Sequence, residues 1–225
     1  MEVEICCGSI QSAVNAKAAG ATRIELCQNL NEGGTTPSYA TIKQCVEGLG
    51  LKVFVLVRPR PGDFTYNEVE IENMLEDVRI CKELGVAGIV VGFLTSDGHV
   101  DVPLTRRFVQ AAAPVPVTFH RAFDRCADQT SALEDVIVCG CKRILTSGGK
   151  PTAPEGQDRL KELVQRAGGR ITILAGSGVR PDNVRALIEH TGVTEVHGSC
   201  KVRLADGYDE TDESEVREML REIRN

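Results

Sequence analysis

Residues 171–190 read ITILAGSGVRPDNVRALIEH. An apolar, β-branched run of strand length leads into two glycines, and Pro181 then opens an amphipathic segment. That is one strand–turn–helix unit. Outward from it the same unit recurs in both directions. Apolar runs stand at VEIC (3–6), RIEL (23–26), KVFVLV (52–57), GIVVGF (88–93), VPVTFH (115–120), RILTS (143–147) and TEVHGS (194–199). Helical patterns separate them, with recognisable starts at Ser38, at Asn67 with Glu70 three residues on, at Asp101 before Pro103, at Pro181, and at Asp212 with Glu215. Gly20, Gly50, Gly85, Gly140, Gly168 and Gly192 mark the helix-to-strand turns.

Eight such units with no change of composition and no linker predict one (β/α)₈ TIM barrel across residues 1–225, with an acidic C-terminal helix at about 211–224. The rival is an open doubly wound sheet. It needs a G-x-G-x-x-G turn after the first strand, and the GSGV turn stands after the seventh instead, where barrels hold phosphate groups.

The 225 residues carry a net charge of -6, which argues against nucleic acid and anionic membranes as partners. No apolar run is long enough to span a bilayer and MEVEICCGS lacks a basic leader, so a cytoplasmic protein is expected. Nine scattered cysteines without a C-x-x-C pair read neither as a disulfide framework nor as a zinc knuckle. Cys139 and Cys141 read as packed thiols, and His99 and His190 as solvated.

Barrel chemistry collects at the C-terminal strand ends. Residues two apart on a strand share a face, so Glu4 goes with Cys6 and Glu25 with Cys27. Facing inward, the two pairs bring two thiols together at the mouth above two carboxylates, while Cys7 faces the helices. Other strand ends add Arg58, Arg60 and Asp63; His120, Arg121 and Asp124; Thr146 and Ser147; and His197, Ser199 and Cys200. Such a cluster is costly as mere packing, because each buried charge needs a partner.

The set EIC (4–6), ATRIELCQNLNEGGTTPS (21–38), RPRPGDFTYNEVE (58–70), TFHRAFD (118–124), RILTSGG (143–149), ILAGSGV (173–179) and EVHGS (195–199) resembles the CutC family of copper homeostasis proteins over nearly the whole chain. The resemblance implies a (β/α)₈ barrel and cytosolic copper handling, with Cys6 and Cys27 as Cu(I) ligands. Cu(I) is soft and favours thiolates. A Glu beside each thiol should raise its pKa unless Arg58 or a His offsets the charge. The chain departs from the family at Pro61, where Gly is usual, and at Cys200, which could add a third sulfur. The short acidic tail leaves homo-oligomerisation open.

Two functions therefore stand side by side. One is a Cu(I)-binding homeostasis protein using Cys6 and Cys27. The other is a barrel enzyme for a small anionic or phosphorylated metabolite. There, Arg58 and Arg60 would clamp the anion and Ser147, Gly176 and Gly178 would line its site. His120 would be the general acid or base, oriented by Glu25 or Asp124 and facing His197. A polar plug without chemistry is the third possibility.

Overall fold

A computed structural model of the chain describes residues 1–205 and 207–224. The eight expected runs are eight parallel strands that close on themselves in chain order: β1 (Glu2–Cys7), β2 (Arg23–Leu26), β3 (Lys52–Leu56), β4 (Gly88–Val91), β5 (Val117–Phe119), β6 (Arg143–Thr146), β7 (Thr172–Gly176) and β8 (Glu195–Gly198). Around them lie α1 (Ile10–Ala18), α2 (Tyr39–Lys43, continued by a wider turn over Gln44–Gly48), α3 (Glu68–Glu83), α4 (Val102–Ala112), α5 (Gln129–Cys139), α6 (Gln157–Ala167), α7 (Val184–Thr191) and α8 (Glu213–Arg224). These elements form the (β/α)₈ barrel that the alternation implied.

Local chemistry sets the boundaries. Asn67 and Glu70 form a reciprocal capping box at α3, Asp101 caps α4, and Asp212 accepts the Ser214 and Glu215 amides at α8. Pro181 does not open α7. The helix begins at Val184, because Asn183 spends its side chain bracing the preceding turn, accepting from the Arg180 amide and donating to the Gly178 carbonyl. The tail after β8 forms a short antiparallel hairpin, β9 (Lys201–Arg203) with β10 (Asp209–Thr211), that the sequence pattern did not signal.

Two apolar cores result. The large one lies between strands and helices and includes Ile5, Cys7, Ile24, Val55, Phe93, Phe108 and Phe119. The small one, inside the barrel, is Cys6, Cys27, Phe54, Leu56 and Val90. Parity along each strand produces this division, so Cys6 faces in and Cys7 faces the helices. The interior is tight enough to dictate glycine. A Cβ at Gly88 would lie 2.1 Å from the Phe54 ring, and one at Gly92 would lie 2.4 Å from the His120 imidazole. Both rings fit only because glycine stands in β4 at Gly88 and just past its end at Gly92.

Candidate functional site

Inward parity on β1 and β2 brings Cys6 and Cys27 together, with Sγ atoms 3.7 Å apart. Cys6 Sγ also donates to Glu25 Oε2 at 3.3 Å. Ligand atoms of Cys6, Glu25 and Cys27 all lie within 4.8 Å of one another, and all three residues are buried. The thiol–thiol hydrogen bond acts oppositely on its partners, lifting Cys6 and lowering Cys27. Burial and the Glu25 charge raise both, so each thiol stays above its usual pKa.

Beneath the thiols runs a chain of buried charges. His197 Nδ1 lies 3.0 Å from Glu4 Oε1, and its Nε2 lies 3.6 Å from Glu25 Oε2. Burial alone would discharge this imidazole, but Glu25, Cys6 and Glu4 outweigh it and hold the pKa well above the usual range. Glu4 is likewise pulled below the ordinary carboxylate value, against burial, by His197, Arg23 and Arg143. Glu25 is raised, by burial first and then by Glu4, with His197 opposing.

Arg23 closes the chain. Its Nε stands 2.9 Å from Glu4 Oε2, a charge contact in which the N–H is not aimed at the oxygen, and its terminal nitrogen meets Glu195 Oε2 at 2.5 Å. Arg143 Nε reaches the same Glu195 oxygen at 2.9 Å. Phe54 packs against both guanidiniums, at 5.3 and 4.9 Å. The sequence reading missed Arg23, Arg143 and Glu195. The signal was available: Arg23 and Glu195 sit two residues before Glu25 and His197, on the same inward parity.

Above this floor opens a cavity of about 410 Å³ lined by Cys6, Cys27, Glu25 and His197 on one side and by Arg58, Phe64 and His120 on another. Arg58 is 4 % exposed and donates to the carbonyls of Glu32, Gly34 and Gly62. No carboxylate lies within ion-pair distance of it among the described residues. His120 is not oriented by Glu25 or Asp124, as expected from sequence. Its Nδ1 accepts the Ala122 amide at 3.1 Å, and its ring packs on Phe64 with centroids 4.9 Å apart. The proton of the neutral ring therefore sits on Nε2, which is buried without a partner. Burial and the nearby Arg58 charge push its pKa down to about 3.

Other expected members go elsewhere. Arg60 turns away to Glu70 at 2.5 Å and Asp63 at 3.0 Å, because the loop after β3 folds back over the start of α3. Asp124 is taken up by the Ser147 and Gly149 amides, each at 3.1 Å, and by Arg121, and Ser147 is held in that knot. Gly176 makes room for Leu145 and His197 and does not line the cavity, whereas Ser177, Gly178 and Val179 of that turn do. Cys200 shares the cavity wall but is not among the clustered donors, and burial pushes its thiol up to about 12. Cys139 and Cys141 are packed thiols, and His99 and His190 are exposed.

The fold and site define a TIM barrel whose mouth holds a buried thiol pair over an ion network. Comparison with known proteins assigns the lineage. The model of the CutC family matches residues 1–202, and the chain belongs to the CutC family. A CutC family protein of Parabacteroides distasonis is 52% identical over 201 residues, covering 88% of this chain and 82% of the relative. One from Chromobacterium violaceum is 47% identical over 203 residues, covering 90% and 82%. The crystal structure of CutC from Streptococcus agalactiae is 35% identical, with a TM-score of 0.83 over 88% of this chain and 98% of that one.

Proposed function

We propose that the protein binds Cu(I) for copper homeostasis, with Cys6 and Cys27 as the thiolate ligands. The observation that carries the reading is the juxtaposition of two inward thiols, 3.7 Å apart, from adjacent strands. The donor chemistry suits a soft monovalent ion. The two sulfurs are close enough for one ion to be shared between them, and Glu25 stands beside both as a third donor. His197, hydrogen-bonded toward Cys6 and beside Glu25, works against the carboxylate charge that holds the thiols protonated. The family supports the same assignment, since the S. agalactiae relative is provisionally described as a copper homeostasis protein. Nine free cysteines suit a reducing cytoplasm.

The test is an anaerobic Cu(I) competition titration against a chromogenic chelator. Wild type should take up one equivalent tightly, and the Cys6→Ser, Cys27→Ser double variant should lose that binding. Uptake unchanged in the double variant refutes the thiol site.

A further inference from the structure

The cavity is much larger than a metal ion requires, and at about 410 Å³ it has the size of a small-molecule pocket. Beyond β3, the strand next to the one that leads to Cys27, the wall carries a guanidinium with no carboxylate within ion-pair distance among the described residues. Arg58 is 4 % exposed and its hydrogen bonds all go to main-chain carbonyls. Those three bonds leave two of its five N–H donors over, the Nε–H among them. Phe64 stacks beneath it and Asp63 feels its charge from beyond ion-pair distance, and a buried guanidinium without a closer carboxylate marks a place for an anion.

His120 adds to that wall. It is 6 % exposed, and with Nδ1 tied to the Ala122 amide it presents Nε2–H as a donor that no atom of the described residues accepts. At the rim, Arg180 forms no ion pair among the described residues. It stands beside the Gly178 and Val179 turn, on a chain whose net charge is -6. Glu25 and Glu215 also line this cavity, but Arg58, Arg121, Arg180 and Lys201 outnumber them, and that local excess focuses anions on the mouth. Between these groups the lining is apolar, with Leu30, Leu56, Phe64, Leu145 and Val179.

We propose that the cavity binds a small organic anion, a carboxylate or phosphate ester with an apolar body, held by Arg58 and His120 Nε2–H and drawn in by Arg180. The anion site shares this cavity with the thiol pair, and the proposal invokes no bound copper.

Calorimetry and saturation-transfer NMR on the full chain, with ribose 5-phosphate and succinate as probes and ribose as the uncharged control, test this. At least one anion should bind saturably at millimolar concentration while ribose does not. His120→Asn, in which the Asn oxygen can still accept the Ala122 amide, should weaken that binding by about tenfold. Arg180→Gln, at an exposed position, should weaken it and reduce its salt dependence. Absence of saturable binding by both anions overturns the proposal, as does binding indifferent to His120→Asn and Arg180→Gln.

Discussion

Lowering the pH from 7 to 5 should destabilise this protein through His120, and His120→Asn should remove that part of the loss. In the fold His120 is held at a pKa of about 3 against an ordinary 6.5, by burial and then by the Arg58 charge. The unfolded chain takes up a proton below 6.5 that the folded chain refuses. The depressed pKa therefore leaves stability intact above 6.5 and erodes it as pH falls toward 3. The gap of 6.5 minus about 3 corresponds to roughly 5 kcal/mol at the acid limit, at about 1.36 kcal/mol per pH unit. From pH 7 to 5 the loss is about 2 kcal/mol. Other groups titrate in the same window, so the quantity to measure is the difference between variants. Urea denaturation of wild type and His120→Asn at half-unit pH steps gives it directly. Wild type should lose about 2 kcal/mol more than the variant over that interval. Nitrogen chemical shifts of the His120 ring should report the Nε2–H tautomer throughout. Parallel stability curves, or a His120 titration midpoint near neutrality, would refute the account of a neutral, backbone-tethered donor.

Arg23→Met retains the stem beside Phe54 but strips charge from Glu4 and Glu195. Each carboxylate keeps one partner, His197 or Arg143, so the cost should be near the low end of the range for broken buried pairs, about 3 kcal/mol by urea denaturation. Gly88→Ala should cost about 1–3 kcal/mol through the clash with Phe54. Phe54→Leu in the same chain should recover part of that, as a double-mutant cycle will show. Because burial and Glu25 keep both thiols protonated, Cu(I) loading should release about two protons in weakly buffered solution. Proton release near zero would count against thiolate ligation.

Much of this molecule was legible from one dimension. Strand and helix alternate by hydrophobic period, and capping residues such as Asn67 with Glu70 act within a single turn. The inward direction of Cys6 and Cys27 followed from strand parity plus the cost of placing Glu4 and Glu25 against helices. What needed three dimensions was partnership. Arg60 and Arg58 are two residues apart on one strand end. Yet Arg60 is captured by Glu70 because the following loop doubles back, whereas Arg58 stays in the cavity wall. Asp124 likewise leaves His120 for the amides of a loop more than twenty residues away.

The amino-acid sequence by itself determined the closed eight-fold barrel and the thiol pair at its mouth, since both rest on period and parity, which are local. Only the tertiary structure decided which charges neutralise one another, which glycine admits which ring, and that, among the described residues, Arg58 has no carboxylate within ion-pair distance and His120 Nε2 no hydrogen-bond partner. Those outcomes depend on distances between strands that are far apart in the chain, and no local rule encodes them.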